Sequence, residues 1–165
     1  MKKIAMILSA ALALSPLPAS AHPEHHPAAA AKPAEHPQAA AVRAVLARYQ
    51  AAIERLDASG TEALFAADSA VFETGGSEGT YANYLAHHLA PELKEFKSFR
   101  FSNYKVDIRF EGPLALATET YNYRIETNDG TVAERVGVTT SVLKQIAARW
   151  QILVSHNSGR KPKGS

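Results

Sequence analysis

The spacing of apolar residues changes period along the chain, and those changes divide it into elements. Over residues 39–56, Val42, Val45, Leu46, Tyr49, Ile53 and Leu56 recur at three- and four-residue intervals. That is the stripe of an amphipathic helix with one buried face. Arg43, Arg48, Glu54 and Arg55 fall largely outside it. Asp57-Ala58-Ser59-Gly60 stops the helix, and residues 61–67 read as a shorter helix with Leu64 and Phe65 inward. Ser59 or Thr61 would cap it. Residues 70–74 suit a short strand and the glycine-rich 75–79 a turn. A third helix follows over 80–96, with Tyr81, Tyr84, Leu85, His88 and Leu89 on its apolar face and His87 about 100° round from His88. Pro91 either kinks this helix or starts a new one.

A period of two then takes over. In 99–110, Phe99 and Phe101 share one parity, while Tyr104, Val106, Ile108 and Phe110 share the other. A one-residue slip near Ser102-Asn103, a β-bulge, would restore a single inner face. Gly112-Pro113 turns the chain into a strand over 114–127. Asp129-Gly130 is a two-residue hairpin signal. If those two residues are the loop, Glu119 faces Thr140, Tyr121 faces Val138 and Tyr123 faces Val136. The same register gathers Ala115, Ala117, Tyr121, Tyr123 and Ile125 with Val132, Val136, Val138 and Val142 on one face. In the final strand, Trp150, Ile152, Val154, His156 and Ser158 share one parity. An odd-length loop puts Trp150 and His156 on that face, with His156 opposite Thr140 or Val138. The expected sheet is antiparallel, sequential and strongly bent.

Most inward positions are apolar or aromatic, which singles out the polar ones. Glu134 lies near the hairpin end, where it reaches water. Glu119, Thr140 and His156 fall in a row across three strands. At a strand spacing of about 4.8 Å, Glu119 and His156 would sit roughly 10 Å apart at the backbone. They could meet directly or bracket a small ligand. A carboxylate facing a histidine in an apolar cleft can do acid–base work, because burial shifts pKa values toward neutrality. The alternative is a structural hydrogen-bonded pair. Tyr84, His88, Tyr121, Tyr123, Thr140, Trp150 and Ser158 would complete a ligand site. His88, His156 and Glu119 would also make a two-histidine, one-carboxylate set suited to zinc or iron, although no HxH or HxxxH spacing supports it.

Residues 1–21 change where the protein is expected to act. Met1-Lys2-Lys3, a short apolar run from Ile4 to Leu14 and Ala19-Ser20-Ala21 have the form of a secretory signal peptide. Cleavage after Ala21 would leave a periplasmic or secreted chain beginning at His22. Residues 22–38 then form a disordered linker, since 22–37 hold four prolines and four histidines and little to bury. His22, His25, His26 and His36 could capture copper or zinc, giving a metal-handling alternative. The domain proper is 39–158, and 159–165 is a tail. The absence of cysteine excludes disulfides and thiol chemistry. The formal charge of +2 includes Lys2 and Lys3, so the mature chain is neutral and carries no footprint for nucleic acid or a membrane surface. No glycine-rich phosphate loop, G-x-S-x-G elbow or zincin motif is present, and no cofactor is expected.

Gly112-Pro-Leu-Ala-Leu-Ala-Thr-Glu119, Thr139-Thr-Ser-Val-Leu143 and Trp150-x-Ile152-x-Val154-x-His156-x-Ser158 carry a family likeness. With the order helix, helix, short strand, helix, long strands, residues 39–158 resemble the SnoaL-like branch of the nuclear transport factor 2-like superfamily. Ala147-Ala148 stands where relatives often have Asp-Gly, which touches only the turn. The resemblance implies an α+β, cystatin-like cone, its helices packed in a curved sheet around a pocket, and homodimerisation through the outer face. Only His156 and Ser158 match a recurring pocket motif. The superfamily holds isomerases, dehydratases and cyclases as well as binding domains, so fold alone does not choose between them. The expected function is binding of a small, mostly apolar molecule, with His156 and Glu119 as its polar handle. The enzyme alternative gives that pair acid–base roles.

Overall fold

The computed structural model describes residues 35–164. The expected signal and the arm histidines His22, His25 and His26 lie outside the described residues. The element order is α1 (Ala39–Glu54), a 3-10 turn (Thr61–Leu64), β1 (Phe65–Glu73), β2 (Gly76–Gly79), α2 (Tyr81–Tyr84), a π-helical turn (Leu85–Leu89), α3 (Ala90–Glu95), β3 (Phe96–Glu111), β4 (Leu114–Thr127), β5 (Val132–Ile146) and β6 (Arg149–Arg160). The fold is α+β: two helical stretches pack against a curved, unclosed six-stranded sheet ordered β2-β1-β6-β5-β4-β3.

Helix α1 buries the expected stripe. Val42, Val45, Leu46 and Ile53 are buried, and Tyr49 and Leu56 pack against them. The helix ends in a Schellman motif: Leu56 N–H donates to the Ile53 carbonyl and Asp57 N–H to that of Ala52. Leu56 holds the left-handed position at φ 57°, where glycine is usual; its side chain on the core compensates for that conformation.

The second helix is only one 3-10 turn, and its cap differs from expectation. Gly60, at φ 77°, precedes it without a side-chain cap. Thr61 instead donates its hydroxyl to the Ala58 carbonyl and accepts from the Tyr81 hydroxyl at 2.7 Å. Strand β1 starts early, at Phe65, which pairs with Ile152 of β6 and stacks face to face on Tyr81 with centroids 3.6 Å apart. The glycine-rich segment is a hairpin: Thr74 and Gly75, both at positive φ, join β1 to β2.

The third helix runs through Pro91 rather than breaking. Proline cannot donate to residue 87, and its ring would clash with that carbonyl. The π-turn just before it widens the helix there, with Ala90 N–H reaching back to Leu85. In β3 the register shifts between Ser102 and Lys105, with Asn103 at φ 53°. The bulge thus falls where the parity change in the sequence puts it.

Two expectations about the sheet are corrected. The β4–β5 loop has three residues, not two. Thr127 N–H donates to the Thr131 carbonyl and Gly130 N–H to that of Thr127. Asn128 is engaged outside the hairpin, on the backbone carbonyls of Lys94 and Glu95. The register therefore slips by one: Glu119 pairs with Thr139, Tyr121 with Gly137 and Tyr123 with Arg135. A one-residue slip moves every side chain of a strand to the other face. Val132 and Val138 accordingly stand exposed on the outer face.

The β5–β6 turn is the second correction. It has two residues, Ala147 and Ala148, at φ 46° and 63°, between the paired Ile146 and Arg149. Trp150 and Ile152 face inward, and a bulge between Ile152 and Val154 then reverses the parity of β6. Ser155 and Asn157 take the inner face, and His156 turns outward. Strand β6 also pairs in parallel with β1, Phe72 beside His156, so the sheet is not wholly antiparallel.

Candidate functional site

The concave face of the sheet and the helical stretch 81–95 enclose a cavity of about 510 Å³. That is within the range of small-molecule sites. Its wall is mostly aromatic. Phe96 and Phe99 come from the first half of β3 and Phe101 from just before the bulge; Tyr121 and Tyr123 come from β4, and Tyr81 and Tyr84 from α2. The rings pack on one another. Phe99 stacks on Tyr123 at 5.4 Å between centroids, and Phe101 meets Tyr121 edge-on at 5.0 Å. The bulge makes this wall, because it lets Phe99 and Phe101 share the inner face with Val106 and Ile108.

One side of the cavity is ionisable. His88 Nε2 lies 3.2 Å from Glu73 Oε2 and 3.2 Å from Glu92 Oε1, and its Nδ1 lies 3.3 Å from Glu78 Oε2. The end of β1 supplies Glu73, β2 supplies Glu78, and Glu92 stands one helical turn beyond His88. Partial burial opposes a charge on His88, but the Glu78 hydrogen bond and the charges of Glu92 and Glu73 outweigh it and hold its pKa above the usual value. Burial pushes the Glu73 carboxyl up, against the pull of His88. Glu73 Oε2 is buried without an aligned hydrogen-bond donor, so the His88 contact is an ion-pair approach rather than a directed bond. Glu73 neighbours Asn157 across β1 and β6, and Asn157 neighbours Thr139 across β6 and β5; Tyr121 and Thr139 share a hydrogen bond of 2.7 Å, and Ser155 lines the cavity beside them.

Behind Tyr121 lies a second cavity of about 50 Å³, bordered by Tyr49, Gln50, Tyr104, Glu119 and Ser141. Glu119 is 8% exposed and accepts a hydrogen bond from Tyr104. Burial raises its pKa, and the Tyr104 bond partly offsets the rise.

The expected row of Glu119, Thr140 and His156 does not form. Thr140 and His156 do pair across β5 and β6, but on the outer face, with the sheet between them and Glu119. His156 is exposed and meets Phe72 edge-on, centroids 6.3 Å apart. The proposed pair of His156 and Glu119, and the metal set that adds His88, are therefore not assembled. Trp150 packs edge-on against Phe110 in the core and does not line the cavity. Tyr84, His88, Tyr121, Tyr123 and Ser158 do border it. His36 stacks on Phe110 at 3.7 Å, and its Nδ1 accepts from Gln38 N–H. No group of three or more metal-binding side chains is arranged around a common point among the described residues.

The sequence reading missed Glu73, Glu78, Glu92, Thr139, Ser155 and Asn157. Glu92 was findable from its four-residue spacing to His88, and Glu73 from sharing parity with Val71. Thr139, Ser155 and Asn157 carry no such signal, because the loop length and the β6 bulge decide their side.

The SnoaL-like domain family matches residues 42–160, from α1 through β6. The chain belongs to that family. No curated protein matches it. Among solved structures, the SnoaL-like domain is similar to a nuclear transport factor 2-like superfamily protein from Salmonella enterica serovar Typhimurium, with a TM-score of 0.66 and 19% identity over 74% of this chain and 91% of that one. A ketosteroid isomerase-like protein from Erwinia carotovora gives 0.64 and 17% over 78% and 100%. A protein with a cystatin-like fold from Novosphingobium aromaticivorans gives 0.59 and 18% over 76% and 82%. At these identities the likeness is one of fold.

Proposed function

We propose that this SnoaL-like domain binds a small, mostly apolar molecule whose polar end donates hydrogen bonds or carries positive charge. The reading rests on one observation: the aromatic wall and the His88–Glu73–Glu78–Glu92 cluster face the same 510 Å³ space. The apolar body would lie against Phe99, Phe101, Tyr121 and Tyr123. The polar end would meet the carboxylates, which outnumber the one imidazole. The expected secretion signal would place this binding in the periplasm or outside the cell. A second copy of the chain is the expected partner, through the outer face on which Phe72, Val132 and Val138 are exposed.

Three probes with one apolar body test the reading: naphthylmethylamine, naphthylmethanol and naphthoic acid, titrated by calorimetry near neutral pH. The amine should bind tightest and the acid weakest. Binding of none, or tightest binding of the acid, would overturn it. Native mass spectrometry of protein purified from periplasm would add the mass of any natural ligand.

A second reading is proton transfer, favoured by the approach of His88 to Glu73. The carboxyl pKa is raised by burial and the imidazole pKa by its acidic neighbours, so the pair can exchange a proton on a bound molecule. It replaces the His156–Glu119 pair expected from the sequence. The check is deuterium incorporation into a co-purifying ligand in heavy water. The wild type should exchange and His88→Gln should not; equal exchange would remove His88 from the proton transfer.

A further inference from the structure

We infer that Gly137 and Gly159 set the size of molecule the cavity accepts, by giving Tyr121 and Tyr123 room to lie down along the sheet. The inference rests on the binding reading above. Gly137 is the direct cross-strand partner of Tyr121. A Cβ built on Gly137 would lie 2.8 Å from Tyr121 Cζ and 2.9 Å from Cδ2, with Cε2 closer still. Real Cβ atoms do not approach carbon so closely, so any other residue at 137 must lift the ring. Gly159, paired with Gly137 on the next strand, does the same for Tyr123, whose hydroxyl occupies the space of its missing Cβ. Neither glycine is at a positive φ. Their backbones suit any residue, so the requirement is space and not conformation. A glycine inside a strand costs stability and commonly marks such a close approach.

The consequence follows from where the rings lie. Tyr121 leans from β4 over β5, and its hydroxyl ends on Thr139. Tyr123 reaches past β5 to β6. Both rings are thus part of the cavity's floor. Standing upright, as side chains on a sheet ordinarily do, they would fill the space between the sheet and α2. A methyl group at 137 or 159 would push the ring toward that posture and shorten the cavity from its floor.

Benzylamine, naphthylmethylamine and anthracenylmethylamine share one polar end on bodies of growing size. The wild type should bind all three. Gly137→Ala and Gly159→Ala should bind anthracenylmethylamine at least about tenfold more weakly, with benzylamine within about twofold. Because Gly159 conflicts chiefly with the Tyr123 hydroxyl, the double variant Gly159→Ala/Tyr123→Phe should recover the largest probe. That rescue separates a steric effect on the cavity from general damage to the sheet. Thermal melts of each variant check folding, and the Gly159 pair carries the test if Gly137→Ala does not fold. An unchanged size profile in both single variants would overturn the inference, as would a uniform loss that Tyr123→Phe leaves in place. Failure of the wild type to bind any of the three would instead remove the binding reading itself, and this inference with it.

Discussion

His88 and Glu73 tie the helical stretch to the end of β1, with Nε2 of one 3.2 Å from Oε2 of the other. The contact gives the rim of the cavity a sign and a pH dependence. The folded pKa of His88 lies above its usual 6.5, so protonated His88 adds stability that is present below that value and lost as pH rises through the folded pKa. The advantage of the wild type over His88→Gln in urea should therefore shrink as pH rises above about 6.5. Histidine NMR titration should show His88 releasing its proton above the usual histidine value of 6.5.

Glu119 titrates in the same sense for a different cause. Its pKa is raised by burial, so the folded state holds its proton longer than the unfolded chain does. Stability must fall as pH rises from the unfolded value through the folded one. Glu119→Gln keeps an acceptor for Tyr104 and removes the charge. The variant should gain on the wild type as pH rises above the ordinary carboxyl range of about 4, read from urea midpoints at each pH. A constant difference would mean that Glu119 is not desolvated.

The face assignments of β6 can be read with single cysteines, since the chain has none of its own. Ser155 is 9% exposed on the inner face, and His156 is exposed on the outer one. A maleimide should label the His156→Cys variant quickly and the Ser155→Cys variant slowly. If a second copy covers the outer face, dilution below the dimer's dissociation constant should speed labelling at 156 and leave 155 unchanged.

The β5–β6 turn stores removable strain. Ala148 sits at φ 63°, where a Cβ costs roughly 1 kcal/mol. Ala148→Gly should stabilise the domain by up to that amount, less the extra freedom glycine has when unfolded. In the core, Leu143 is fully buried, and Leu143→Ala should cost about 2–5 kcal/mol. Both are measurable as shifts in urea midpoint, followed by the single tryptophan, Trp150.

Much of the fold was legible because it depends on short-range periodicity. The stripe from Val42 to Leu56 specifies α1, and the apolar alternation specifies β4 with the limits observed. The parity change between Phe101 and Tyr104 locates the β3 bulge. Each of these is set by which side chains can share one face, and each is contained within a few turns or one strand. The cavity's aromatic residues Tyr84, Tyr121 and Tyr123, with His88, were legible for the same reason.

What only the tertiary structure decided is which face the later strands present. Two residues or three in the β4–β5 loop are equally compatible with Asn128-Asp129-Gly130 as a string. The choice depends on Asn128 reaching the carbonyls of Lys94 and Glu95, which α3 brings close only in the folded chain. The bulge in β6 likewise lets Trp150 and Ile152 face the core while Ser155 and Asn157 line the cavity. Because side chains alternate at every residue, each of these local choices reverses a whole strand. They separate His156 from Glu119 and leave the ionisable site to His88 and Glu73. The sequence by itself thus determined the elements and the apolar wall; long-range contacts chose the register and, with it, the chemistry facing the cavity.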